Sequence, residues 1–478
     1  MILKQNVTGS SDPQSLCSYK LSCNVHTYAN SEYSPMQINL TEAIGSKSRC
    51  GEKKPHRPLE GFEYPAQKND QVEINSDDEA DPELVELLRQ HFGLGEKPKD
   101  APPETKVLDG AQYVFDNAID VAVSLAHTKE AAETIWRMMQ KKEYSTHTWS
   151  EHELHPQTKD ESTVDFIFTM DLLNFSFWSE EEEEPKRFCI EYRGKLWTGY
   201  WSLVAALQRA LDEDIPITTP DFWVDEERCT DELLRHVFRS ATDGEIPMFK
   251  ERVQCLREAG EVLCEEFGGS FINCIDSANL SAAGLVNILT ESFCCFRDET
   301  IFHGKKVRLY KRAQILVADL WACFNGEDFG EFHDIDKITM FADYRIPQML
   351  HQLNCLRYAP KLENHIRDLK PIEPGSNWEI ELRGTSIWCV ELIKREIEKQ
   401  HPEVKMNREK SPSKGPPGDD KSHESEDSDE KLKIEEKPRK TYGINAILID
   451  FFLYDTMKSL EAEKNESIPH HRTRSIWY

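Results

Sequence analysis

The chain has 478 residues, of which 38% are hydrophobic and 30% charged, and its formal net charge is −28. An apolar share below the usual ~45–50% predicts one large domain with polar extensions that never enter a core, and the acidic balance argues against a general nucleic-acid binder, which needs a basic face. The thirteen cysteines include no C-x-x-C pair and hence no zinc signature; they read as reduced core thiols of a cytoplasmic or nuclear chain, and no apolar run approaches the ~18 residues of a membrane span.

In chain order, residues 1–105 are polar with little periodicity and are expected to be mostly disordered, apart from one isolated helix over "DPELVELLRQHFGL". The stretch "RFCIEYRGKLWTG" alternates around Arg193 and Gly194 and predicts a β-hairpin, with "VDFIFTMDLLNFSFW" as a partner strand and turn. Helical periodicity dominates from there. "GYWSLVAALQRALDE" is amphipathic, "ERVQCLREAGEVLCEEF" places Val253, Leu256, Gly260, Leu263 and Phe267 on one face, and "AQILVADLWACF" repeats the pattern with Val317, Leu320, Trp321 and Phe324. "RGTSIWCVELIKREIEKQ" offers Thr385 or Ser386 as an N-cap. A polar insertion over about 403–440 interrupts the domain before the apolar "NAILIDFFLYDTM". The expectation is a mainly α fold, a single helical domain over 106–478 with a small β-hairpin or sheet.

Acids in apolar surroundings stand out: Asp171, Asp343 in "ITMFADYRIPQ", and Asp450 and Asp455 in "ILIDFFLYD". A buried carboxylate must be paired, shifted in pKa or held for chemistry, so each is either a structural cap or a site residue. Five residues on a helix is about 500° of turn, so Asp450 and Asp455 are offset by roughly 140° and do not share a face. Lys311 and Arg312 open a core helix, where an anion held by the same backbone N–H groups would suit them; a solvated first turn is the other reading. His152 and Trp178 suit hydrogen bonding to and stacking on a heterocycle, or a place in the core.

The segments "LNFSFWSE", "YRGKLWTGYWSLVAALQRALDEDIPIT", "EAGEVLCEEFGGSF", "YKRAQILVADLWACF", "ITMFADYRIPQ", "SIWCVELI" and "HRTRSIWY" run in order from about residue 108 onward. Together they resemble the queuosine salvage protein family, the queuosine 5′-phosphate N-glycosylase/hydrolases. The resemblance implies a helical fold related to helix-hairpin-helix DNA glycosylases, and release of the base queuine from queuosine 5′-monophosphate, with the free nucleoside queuosine open as a second substrate. It further implies that Asp343 is catalytic, that Phe341 packs on the base, that Lys311 lies near the ribose phosphate, and that His152, Asp450 and Asp455 contact queuine. Phe451 belongs to the same contact region, where relatives are expected to carry a tyrosine.

These residue types suit that chemistry. Breaking an N-glycosidic bond builds positive charge on the ribose, which a fixed carboxylate stabilises while it positions water. Queuine is a 7-deazaguanine, without the ring nitrogen that purine glycosylases can protonate, and its secondary ammonium and diol suit carboxylate partners. No step calls for a metal or redox cofactor. The competing expectations are a DNA or RNA glycosylase acting on a flipped base, and a helical protein that binds queuine or its nucleotide without cleavage.

Overall fold

The structure, a computed structural model, describes residues 102–142, 149, 152–180, 186–402, 444–463 and 467–478. The expected N-terminal extension up to residue 101 and the insertion at 403–440 lie outside the described residues, as does the isolated helix over "DPELVELLRQHFGL".

Fourteen helices and three two-stranded antiparallel sheets are formed by the described residues. They begin with α1 Val107–Asn117, β1 Val121–Val123, α2 Leu125–Lys141 and α3 Glu161–Leu172, followed by the hairpin β2 Ile190–Tyr192 and β3 Lys195–Trp197. Next come α4 Tyr200–Asp212, the short α5 Pro220–Val224 and α6 Asp231–Val237, then α7 Phe249–Glu266, α8 Ile272–Ser277 and α9 Ala282–Ser292. A second hairpin, β4 Glu299–Phe302 and β5 Lys305–Arg308, leads into α10 Lys311–Cys323. The remainder is α11 Arg345–Gln352, β6 Leu356–Tyr358, α12 Pro360–Arg367, the long α13 Asn377–Gln400 and α14 Ala446–Ala462.

The centre of the core is α10, in which every residue from Lys311 to Cys323 is buried. α3 packs along it, and α1 and α2 pack against α13. Gly384 permits the close approach of α1 to α13, since a Cβ there would sit 2.8 Å from the side chain of Val114. Two buried arginines tie the C-terminal end of α3 down. Arg312 donates to the carbonyls of Leu172 and Cys295, and Arg252 to those of Leu173 and Phe175, where cations complement the helix dipole. Arg312 is therefore committed to backbone carbonyls rather than to an anion.

The periodic helices form where expected, and the five face residues from Val253 to Phe267, the last of them the C-cap of α7, are all buried. Two expectations need correction. "VDFIFTMDLL" is not a strand: it lies in α3, N-capped by Asp160, whose carboxylate accepts from Thr163 N at 3.2 Å. From Thr163 to Leu172 only Asp165 is not fully buried, so the helix lacks the polar stripe that would have marked its period. Thr385 and Ser386 are not caps either. They lie two turns inside α13, which starts after Ser376, and Ser386 Oγ instead donates to Leu382 O at 2.6 Å. The earlier start was hidden because Glu379, Glu381 and Arg383, charged residues in a helix core, are all buried.

The β2–β3 hairpin forms around Arg193 and Gly194, both at positive φ (51° and 71°), as a two-residue turn that matches strand twist requires. The β4–β5 hairpin repeats it with His303 and Gly304 at 47° and 82°. β1 and β6 pair across a long sequence separation, so their pairing leaves no local sequence signal.

Candidate active site

Two charged side chains open the site from opposite elements. Lys311 begins α10, and its backbone N–H donates to Asp298 Oδ2 at 3.2 Å. Asp343 lies in the extended run before α11, and its Oδ1 accepts from the N–H groups of Arg345 (2.8 Å) and Ile346 (3.0 Å), the free donors of that helix start. Among the described residues Oδ2 of Asp343 makes no hydrogen bond. One oxygen is anchored and the other is available to a ligand.

Arg383 of α13 couples the two. Its guanidinium donates to both oxygens of Asp298 (3.0 and 2.5 Å), to Glu379 (3.1 Å) and, through Nε, to the carbonyl of Ala342 (2.8 Å). Arg383 and its two acids are buried. One rigid side chain thus sets the start of the helix that carries Lys311 and the peptide next to Asp343. On the other side, Phe341 N donates to Asp450 Oδ2 at 3.0 Å, fastening the same segment to α14.

Lys311, Phe341, Asp343 and Asp450 all line a cavity of about 1380 Å³. Their charges are interdependent. Burial pushes the Asp343 carboxyl up, opposed by Lys311 and by the two N–H donors. Burial, reinforced by Asp343, pushes Asp450 well above the carboxylate range. Burial lowers the Lys311 ammonium, while Asp343, Asp171 and Asp450 hold it up. Raised carboxyls beside one buried ammonium are an arrangement found at reactive centres.

α14 presents Asp450, Tyr454, Lys458 and Glu461 to the cavity, steps of four, four and three residues, whereas Asp455 does not line it. This agrees with the rotational offset. Phe451 is buried with its ring 5.7 Å from that of Phe341, behind the cavity surface. His152 stands outside the wall, stacked on Trp201 at 3.4 Å, and Trp201 itself lines the cavity. Burial pushes His152 down to about 4, leaving it a neutral hydrogen-bonding ring at neutral pH. Asp171 is fully buried under α10, its Oδ1 accepting from Asn174 at 3.0 Å. Trp178 lines the cavity. Sequence reasoning did not single out Tyr344, Arg345, Asp298, Arg383, Arg472 or Arg474, although the quoted segments "ITMFADYRIPQ", "RGTSIWCVELIKREIEKQ" and "HRTRSIWY" contain all of them but Asp298.

The family described as "Queuosine salvage protein" matches residues 154–478. The chain belongs to the queuosine salvage protein family. Its family match takes in Lys311, Phe341, Asp343 and Asp450 and leaves out His152. Three curated proteins named queuosine 5′-phosphate N-glycosylase/hydrolase are similar to it. The one from Schizosaccharomyces pombe is 39% identical over 387 residues, 78% of this chain and 100% of that protein. The Nematostella vectensis protein is 39% identical over 77% of this chain and 97% of its own length, and that of Sphaerobacter thermophilus is 37% identical over 69% and 86%.

Proposed function

We propose that this protein, an N-glycosyl hydrolase, cleaves queuosine 5′-monophosphate to queuine and ribose 5-phosphate in queuine salvage. The observation that carries the reading is the carboxylate of Asp343, one oxygen held by two backbone N–H groups and the other open to the cavity, in a chain of this family.

In this mechanism Asp343 Oδ2 faces C1′ of the ribose. As the bond to the base lengthens, positive charge grows on the ribose, and a carboxylate already oriented stabilises it without reorganisation. Water, positioned by the same acid, takes the place of the base. Lys311 keeps Asp343 ionised by its charge, and its ammonium, which makes no hydrogen bond among the described residues, is available to the ribose hydroxyls. Phe341 offers its ring to the base. Asp450 meets the guanine-like N–H edge or the secondary ammonium of queuine. Asp455, Phe451 and His152 act from behind the wall, on the position of α14 and Trp201. With phenylalanine at 451, no hydroxyl hydrogen bond is made there.

The relationship to helix-hairpin-helix DNA glycosylases belongs to this proposal, supported by the mainly helical fold. Free nucleotide, not duplex, is the proposed substrate because a chain of net charge −28 repels polyanions. No helix among the described residues is long and apolar enough to cross a membrane. The ten cysteines among the described residues are free thiols, nine of them buried, which supports residence in a reducing compartment, the cytoplasm or nucleus.

The test is incubation of the purified protein with queuosine 5′-monophosphate, queuosine and guanosine monophosphate, with mass detection of the free bases. Queuine is expected from the modified nucleotide and no guanine from the unmodified one. Tight binding without release of queuine would establish the non-cleaving alternative in its place.

A further inference from the structure

The cavity carries charges of both signs. Of its lining side chains eight are cationic and five acidic, against the strongly acidic chain as a whole. Lys311 and Asp450 are buried in its wall and couple electrostatically to Asp343. The three other carboxylates already have partners: Glu180 pairs with Arg474, Glu245 with Arg235, and Glu461 with Arg345 and Lys458.

Arg472 is different. It lines the cavity, and its guanidinium makes no hydrogen bond or ion pair among the described residues. It is not loosely placed, however. The indole N–H of Trp178 donates to the carbonyl of Thr473 at 2.9 Å, which locks the backbone between Arg472 and Arg474 onto that ring. The guanidinium carbons of Arg474 and Arg472 lie 3.6 and 5.8 Å from the ring centroid. Arg474 also donates to the carbonyls of Ser176 (3.3 Å) and Trp178 (3.0 Å). The backbone of Arg472 is fixed as well, its carbonyl accepting from Ile372 N at 2.7 Å. A cation that lines a substrate cavity, braced on an aromatic ring but with no hydrogen bond or ion pair among the described residues, is suited to a ligand anion.

A chain of ring contacts links this cation to the segment of Asp343. Tyr344, next to Asp343, packs its ring 4.8 Å from that of His470, which in turn lies 6.4 Å from Trp178. His470 Nδ1 donates to the carbonyl of His471, which in the neutral ring leaves Nε2 as an acceptor. Burial keeps His470 neutral by pushing its pKa far down. A neutral acceptor between a carboxylate and an arginine matches, in order, the hydroxyls, the anomeric carbon and the phosphate of a ribose 5-phosphate. The charge of Lys311 is already engaged by the nearby acids Asp343, Asp171 and Asp450.

We infer that Arg472, braced by Trp178 and Arg474, is the subsite for the 5′-phosphate of the substrate, and that His470 accepts from a ribose hydroxyl beside it. This rests on the reading of the cavity as a nucleotide site, and the experiment separates the two. Arg472→Gln and Arg472→Lys are compared with the unaltered protein in steady-state cleavage of queuosine 5′-monophosphate and in calorimetric binding of ribose 5-phosphate. For Arg472→Gln, KM is expected to rise about tenfold or more, the scale of one charge-assisted contact, with kcat within about threefold; ribose 5-phosphate affinity falls in parallel. Arg472→Lys, which keeps the charge but not the fork, falls between. An unchanged KM and affinity would overturn the assignment, as would a joint fall of kcat and Tm in both variants, the mark of a structural role. If the unaltered protein releases no queuine, the proposed function fails on its own, and the ribose 5-phosphate titration still decides the subsite. Equal binding to the unaltered and Gln forms, or none to the unaltered one, removes it.

Discussion

Arg383 grips Asp298 with both ends of its guanidinium, at 3.0 and 2.5 Å, in a contact sealed from solvent. The pair is 85 residues apart in sequence and lies under both charged groups of the site. Removing one member of such a pair leaves an uncompensated buried charge, which costs about 3–5 kcal/mol. Arg383→Met is therefore expected to lower stability by that amount in urea unfolding, and to reduce activity by displacing Lys311 and Asp343 together. A variant as stable as the parent would mean that Asp298 finds another partner.

Asp343→Asn retains the oxygen that caps α11 and removes the charge. Turnover is expected to fall at least about a hundredfold, the scale for losing one preorganised electrostatic group, while queuine affinity and melting temperature change little. Measuring all three on one preparation separates a catalytic acid from a capping one, since an acid that only caps would leave turnover largely kept in a variant that retains the capping oxygen.

Lys311→Met tests the charge coupling through pH. Lys311 opposes the burial that raises Asp343 and Asp450, so its removal raises both carboxyls further. If cleavage requires ionised Asp343, activity drops as pH falls through its raised pKa. The acidic limb of the kcat/KM profile is then expected to lie at higher pH in the variant than in the parent. A limb that does not move would assign it to another group.

Asp450→Asn carries an opposite sign for stability. A carboxyl whose pKa is raised on folding binds its proton more tightly in the folded state, so it gives its full stability below the unfolded value of about 3.9 and loses it as pH rises through the folded pKa. Asparagine, a neutral analogue that still accepts from Phe341 N, escapes that loss. The variant is expected to melt higher than the parent near neutral pH, with the gap closing towards pH 4, and to bind queuine more weakly. Thermal melts across pH, paired with queuine titration, check both halves.

Much of this site could be read from residue types. Asp343 and Asp450 stood out as acids within apolar runs, Lys311 as a cation at a core helix start, and the offset of Asp450 from Asp455 followed from helix geometry alone. Arg383 could not be found that way, because a buried ion pair inside α13 looks, in sequence, like the polar face of a surface helix, and its partner lies in the loop before β4. The same burial obscured α3, whose apolar surface runs around most of its circumference. Arg472 needed the fold as well, since contacts with Trp178, Ser176 and Ile372, all distant in sequence, hold residues 472–474 at the cavity.

The aromatic wall of the cavity has an optical consequence. Trp178, Trp197 and Trp201 all line it, three of the ten tryptophans in the chain, and Trp201 stacks on His152 while Trp178 stacks beneath Arg474. Indole emission follows the polarity of its surroundings, so a base and ribose that displace water from three of these rings at once should move the spectrum of the whole protein. The intrinsic fluorescence of the protein thereby becomes a label-free gauge of how full the cavity is, readable in real time during a single turnover.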